Sequence, residues 1–272
     1  MRSVRTIDEW PVHNASTAVV SAAGEMLGAH GDQARVYRLA SVTKLLTAYA
    51  TLVAVEEGAV GLDDAAGPDG ATVRHLLAHA SGLDFSDPSA RRSTPGRRRI
   101  YSNAGFEVLG ETVAARSGIP FAAYVREALL EPLGMDATSF TGSPAAGASS
   151  TVADLVRFAS EVQRPQLLHG STVTAATSVV FPGLDGVLPG FGRQRSNDWG
   201  LGFEIRDHKD PHWTGATSSP RTFGHFGQAG AFLWVDPDAQ VACVTLTDRS
   251  FGPWAAESWP VYTDAVLAEL RG

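Results

Sequence analysis

The stretch Arg38-Leu39-Ala40-Ser41-Val42-Thr43-Lys44-Leu45-Leu46 places a lysine three residues after a serine, in a largely apolar run. Of the chain's 22 lysines and arginines, only Lys44 and Lys209 are lysines. A chain that carries its surface charge on arginine has kept an amine here. Arginine stays protonated in a protein, whereas a lysine taken out of water can lose its proton. The apolar positions Val42, Leu45, Leu46, Tyr49, Leu52 and Val53 recur at helical spacing and predict a helix from about Ser41 to Glu57, ended by Gly58. On such a helix Lys44 projects its amine back toward the Ser41 hydroxyl, a candidate base beside a candidate nucleophile. The N–H groups of a helix start also favour a developing negative charge. A free lysine titrates near ~10.4, so work as a base needs desolvation or a nearby cation. Alone, Ser-x-x-Lys is a weak signal that arises often by chance, and its plainer reading is an N-cap serine followed by a surface lysine.

Around this stretch the chain reads as β, a long and mostly helical middle, then β again. Ala18 to Ala22 and Glu25 to His30 predict two strands around a turn at Ala23-Gly24. Thr72 can cap a short helix through His79. Further helices are predicted over Ala104 to Ser117 and Phe121 to Leu130, and from a Ser150 or Thr151 cap to about Val162. Strand patterns return at Gly200 to Ile205, Ala231 to Val235 and Gln240 to Thr247. The last two are joined by the turn Asp236-Pro237-Asp238-Ala239, and a helix after Trp254 closes the chain. The only low-complexity stretch is the small-residue run from Ser143 to Ser150.

Composition excludes several classes. A hydrophobic share of 44% with 19% charged residues describes a globular protein, and 272 residues suffice for a substantial core. The net charge of −7 argues against nucleic acid as a partner. The single cysteine, Cys243, rules out an internal disulfide and reads as a buried small hydrophobe. No apolar run reaches the length of a membrane span. The start of the chain shows no apolar segment after its basic residues, so the expected location is the cytoplasm.

Two more segments bear on Ser41. Tyr101-Ser102-Asn103 puts a tyrosine and an asparagine two apart before a helix, where both can face one cleft. Gly224-His225-Phe226-Gly227-Gln228-Ala229-Gly230 lies directly before a predicted strand, with glycines that permit close approach of a ligand. Together, Ser41-Val42-Thr43-Lys44, Tyr101-Ser102-Asn103 and His225-Phe226-Gly227 resemble, in order, the three signatures of the serine β-lactamase-like hydrolases. That family comprises class C β-lactamases, D-alanyl-D-alanine carboxypeptidases and related esterases. The run Leu76-Leu77-Ala78-His79-Ala80-Ser81-Gly82-Leu83 resembles a further family segment, as does Ser149-Ser150-Thr151-Val152-Ala153-Asp154-Leu155.

The resemblance implies an α+β, β-lactamase/transpeptidase-like fold. An antiparallel sheet is built from residues 1–57 and 189–272, with a helical subdomain over about 58–188 between them. It implies a two-step acyl transfer with no cofactor and no metal. Ser41 is then the nucleophile, and Lys44 the base or a group that depresses the tyrosine. Tyr101 shuttles protons, and Asn103 holds Lys44 and the substrate. His225 bonds near Tyr101 or a substrate carboxylate. Backbone N–H groups of Ser41 and Gln228 form the oxyanion hole. The chain departs from the family in carrying His225 for the usual lysine and Phe226 for the usual threonine. Both changes weaken recognition of the carboxylate shared by β-lactams and D-Ala-D-Ala peptides. With no visible signal peptide, they favour an esterase or amidase on a small acyl substrate. The alternatives are β-lactamase or carboxypeptidase activity, or a family member that binds acyl or peptidyl ligands without turnover. The expected partner is a small-molecule ester, amide or lactam.

Three other groups of residues take plainer readings. His75 and His79 stand at metal-pair spacing without a third ligand. Arg91, Arg92, Arg97, Arg98 and Arg99 read as a solvated loop. His208, Lys209, His212 and Trp213 read as a polar loop bordering the cleft.

Overall fold

In a computed structural model describing Met1–Gly272, a 3-10 segment (Ser3–Glu9) precedes the hairpin of β1 (Ala15–Ser21) and β2 (Met26–His30). Then β3 (Tyr37–Arg38) and a 3-10 turn (Ala40–Val42) lead into α1 (Thr43–Glu56). The middle holds α2 (Val73–Leu77), α3 (Asn103–Ser117) and α4 (Phe121–Val125), which continues as a π-helical turn (Arg126–Leu130). It ends with β4 (Ser139–Phe140), β5 (Ala148–Ser150), α5 (Val152–Gln163) and α6 (Gly170–Ala176). The remainder is β6 (Gly186–Leu188), β7 (Gly192–Gln194), β8 (Glu204–Ile205), β9 (Phe223–Gly227), β10 (Ala231–Asp236), β11 (Val241–Thr247) and α7 (Pro253–Arg271). No helix is long and apolar enough to cross a membrane.

One antiparallel sheet runs in the order β2-β1-β11-β10-β9-β8. Its β1–β11 ladder, from Ala15 opposite Thr247 to Ser21 opposite Val241, joins the two ends of the chain. Side chains alternate across a pleated strand, so this sheet feeds two cores. Ala18, Val20, Leu233, Val235, Ala242 and Val244 enter the larger one, shared with α1 and α5. Val19, Phe232, Trp234, Val241 and Cys243 enter the other, under Trp259, Tyr262 and Val266 of α7. With both faces covered, β10 and β11 are buried at every residue, which is why they read as continuous apolar runs. Cys243 is buried among them, and burial pushes its thiol up to about 11.

Every residue of α1 from Thr43 to Ala54 is buried. A helix apolar on all sides is a core helix, and a lysine on its first turn is carried inside with it. The helix starts two residues later than predicted, and Ser41 lies on the preceding 3-10 turn. Three residues per turn still bring i and i+3 together there.

Other boundaries shift for local reasons. The Gly200–Ile205 expectation shrinks to Glu204–Ile205. The third motif, expected before a strand, lies within β9 itself. Thr72 sits at the N-cap of α2 without a capping bond, because its hydroxyl engages His75 Nδ1 at 2.9 Å. Thr151 does cap α5, accepting from Asp154 N–H at 3.1 Å. The short helix α6 was not foreseen, since its Ser/Thr-rich sequence lacks a long apolar period.

Candidate active site

Ser41 follows Ala40, whose φ of 45° is left-handed for a residue with a Cβ. Such strain collects where a side chain must be held in one place. Lys44 Nζ lies 3.4 Å from Ser41 Oγ, 2.6 Å from Asn103 Oδ1 and 2.9 Å from the Ala145 carbonyl oxygen. The amine is fully buried, and loss of water lowers its pKa to about 7, against an opposing pull from Glu107. Ala145 comes from the small-residue run Ser143–Ser150, whose lack of bulk lets backbone carbonyls reach α1. Pro144 O likewise accepts from the Thr47 hydroxyl at 2.6 Å.

Tyr101 and Asn103 face the same side, as their spacing predicts. Ser102 between them is extended (φ −137°, ψ 118°) and turns away. Its hydroxyl donates to Asp84 O at 2.6 Å and accepts from Gly105 N–H at 2.9 Å, capping α3. The Tyr101 ring lies 4.8 Å from Lys44 Nζ. Burial raises the Tyr101 phenol well above its ordinary value, and the Ser41 hydroxyl only partly opposes this.

From β9, His225 Nε2 comes within 3.4 Å of the Tyr101 hydroxyl, and its Nδ1 lies 2.6 Å from Phe226 O. Burial, and then the nearby Lys44 charge, lower His225 to about 3. Phe226 points to the opposite face, where its ring packs against Phe251 and Trp259. β8 pairs only with Phe223 and Gly224, so β9 is unpaired on that edge along His225–Gly227. A Cβ on Gly227 would stand 2.2 Å from Leu39 O and 3.2 Å from Ser41 N. Only glycine lets β9 approach Ser41 this closely. The backbone N–H groups of Ser41 and Gln228, on either side of this contact, donate to no protein carbonyl.

A cavity of about 320 Å³ opens at Ser41. Tyr101, Asn103, His225, Phe226 and Gln228 line it with Ser41, whereas Lys44 and Gly227, which contact Ser41, are not among its lining residues. Its apolar wall comes from residues that carried no motif: Phe85, Leu188, Pro189 and Trp199. Trp199 stands edge-on to His225 with ring centroids 5.4 Å apart.

The beta-lactamase family model matches residues 17–268. The chain belongs to the beta-lactamase family. Members of that family are serine hydrolases. The chain is similar to a beta-lactamase from Mycobacterium bovis at 56% identity and TM-score 0.97, covering 98% of this chain and 99% of that one. It is 28% identical over 145 residues to the D-alanyl-D-alanine-carboxypeptidase/endopeptidase AmpH of Escherichia coli strain K12. That match spans 40% of this chain and 38% of the E. coli protein. EstCE1, a hydrolase with promiscuous acyltransferase activity, shares the fold at TM-score 0.78 with 18% identity, covering 98% of this chain and 97% of its own.

Within this beta-lactamase-family chain, two plainer readings need correction. The segment His208–Trp213 is not a polar rim. His208, Asp210 and Pro211 are exposed, but Lys209, His212 and Trp213 are buried around Glu204. Lys209 Nζ lies 2.7 Å from Glu204 Oε1 and His212 Nε2 3.0 Å from it, and the Trp213 indole donates to Glu204 Oε2. Both lysines of the chain are therefore interior groups. Arg99 departs from its exposed neighbours and is also buried. It donates to the carbonyls of Ala78, Val180, Phe181 and Asn197, which anchors the loop carrying Tyr101. The alternation of Arg99 with Tyr101 and Asn103 was the available signal. His75 and His79 engage separate partners. His75 stacks on Phe181, while His79 accepts from Ser102 N–H at 3.1 Å beneath Tyr101.

Proposed function

We propose that this protein is a serine hydrolase that forms an acyl-enzyme on Ser41, acting as an esterase or amidase on a small acyl substrate. The observation that carries this reading is the arrangement around Lys44 Nζ. A neutral amine has two N–H bonds and one lone pair. Asn103 Oδ1 and Ala145 O accept the two hydrogens, and the remaining direction faces Ser41 Oγ. With the pKa near 7, a large share of the amine is neutral at neutral pH.

Burial acts on the two candidate bases in opposite senses: it drives the amine to lose its proton and the phenol to keep its own. Lys44 is accordingly the group that takes the Ser41 proton as Oγ attacks the acyl carbon. The oxyanion is met by Ser41 N–H and Gln228 N–H, each such donor being worth about 3–4 kcal/mol in the transition state. Tyr101, protonated, donates to the leaving group. Water then enters by the same route in reverse and releases the acid.

A fluorophosphonate probe followed by peptide mass spectrometry tests the reading. The adduct is expected on Ser41, lost in Ser41→Ala and retained in Ser81→Ala, since Ser81 is buried away from this cavity. Absence of any adduct would favour a member that binds without turnover. The pH dependence has a definite sign. The active amine is the deprotonated one, so kcat/KM should rise with pH through an apparent pKa near 7 and level off above it. A rate that falls through that range would contradict Lys44 as base. β-Lactamase activity is the second reading, favoured by the M. bovis relative at 56% identity.

A further inference from the structure

The wall of the cavity beside Ser41 offers no lysine or arginine to pair with a substrate carboxylate. Phe85, Leu188, Pro189 and Trp199 make it apolar, and Phe85 is 51% exposed at the mouth. Two wall residues other than Tyr101 have ionisable side chains, His225 and Glu204. Glu204 is an acid, and the cation beside it, Lys209, is committed to it at 2.7 Å. With Lys209 committed, His225 is the one wall residue that could present a cation, so its protonation state decides what the site can bind. The Phe226 carbonyl, 2.6 Å from Nδ1, can only accept, which puts the ring proton on Nδ1. In the neutral ring Nε2 is then an acceptor, and its neighbour at 3.4 Å is the Tyr101 hydroxyl. One N–H of the Gln228 side-chain amide donates to Phe251 O at 3.1 Å, and the group carries no charge.

We propose that His225 serves as a hydrogen-bond acceptor for Tyr101 rather than as a carboxylate binder, and that the cavity thereby selects uncharged acyl esters over substrates bearing a carboxylate. This rests on Ser41 as nucleophile and names the substrate class for that same site. A carboxylate entering here sheds its water, meets a lone pair at Nε2 and finds no free cation. An apolar acyl chain meets Phe85, Leu188 and Trp199 and loses nothing. Most β-lactams and D-Ala-D-Ala peptides carry that carboxylate, so membership of the family does not carry their chemistry over to this cavity.

The test compares 4-nitrophenyl butyrate with 4-nitrophenyl hemisuccinate on the wild-type protein. The two esters share a leaving group and a four-carbon acyl chain and differ in a terminal methyl against a carboxylate. The expected kcat/KM ratio is about 100-fold or more in favour of butyrate. A ratio within about threefold of unity, or one favouring hemisuccinate, overturns the proposal. His225→Lys supplies the missing cation. It should narrow the ratio by about tenfold while slowing butyrate turnover, because Tyr101 loses its acceptor. A folded His225→Lys protein with an unchanged ratio removes His225 as the determinant. Labelling of Ser41 separates the two levels of the reading. If Ser41 takes the fluorophosphonate and both esters are cleaved alike, only the selectivity fails. If Ser41 is unlabelled and neither ester is cleaved, the hydrolase reading fails and the selectivity with it.

Discussion

Lys44→Arg should abolish acylation, lowering kcat/KM for a neutral ester by about 10⁴. Arginine keeps the charge and cannot surrender its proton, so the group facing Ser41 Oγ changes from a lone pair to a donor. The guanidinium also lacks room between Asn103 Oδ1 and Ala145 O, which grip the amine at 2.6 and 2.9 Å. Lys44→Met guards against a trivial failure to fold, because it keeps the side chain's length and brings no charge into the core. It should lose activity to a similar degree while its Tm shifts little, since removing the amine's desolvation cost offsets leaving Asn103 Oδ1 and Ala145 O without a donor. Turnover within tenfold of wild type in a folded Lys44→Met protein would remove Lys44 from the mechanism.

Gly227→Ala is the second large effect, and it acts through backbone alone. The new methyl would sit 2.2 Å from Leu39 O and 3.2 Å from Ser41 N. Both neighbours are main-chain atoms next to the nucleophile, so relief comes only by moving β9 away from the 3-10 turn. The Gln228 N–H, one residue further on, moves with it. Misplacing one oxyanion donor costs about 10²–10³ in kcat. The overpacking costs about 1–3 kcal/mol of stability. The split between kcat and KM is informative, because a donor used only in the transition state lowers kcat with little change in KM. A wild-type kcat in this variant would show that β9 need not approach Ser41.

The sequence carried the polar corner of the site and missed its apolar half. Ser41, Lys44, Tyr101, Asn103 and His225 were legible because each is a chemically distinctive residue at a fixed spacing; four of them line one cavity, and Lys44 contacts Ser41 and Asn103 from inside the core. Phe85, Leu188, Pro189 and Trp199 were not, since apolar residues in loops look alike until the chain brings them to one wall. Ala145 illustrates a further limit. Its contribution is a carbonyl oxygen, and nothing in the side-chain alphabet marks which carbonyl will meet an amine 101 residues away. The fold was legible in its long periodic parts, α1, α3, β10 and β11. It failed at two-residue strands such as β8, where pairing with a neighbour rather than local preference decides the state. The same effect hid the role of Lys209. A polar run with Asp207, His208 and Asp210 looks solvated, and only the approach of Glu204 from β8 shows why its lysine is inside.

The scarcity of lysine makes the central claim directly measurable. Protein labelled with ¹⁵N at the lysine side chains gives two Nζ signals, from Lys44 and Lys209, and Lys44→Met assigns them by removing one. The account predicts that the Lys44 signal titrates with a midpoint near pH 7, alongside the rise in kcat/KM. A Lys44 Nζ that stays protonated up to the ordinary lysine range near ~10.4 would contradict it.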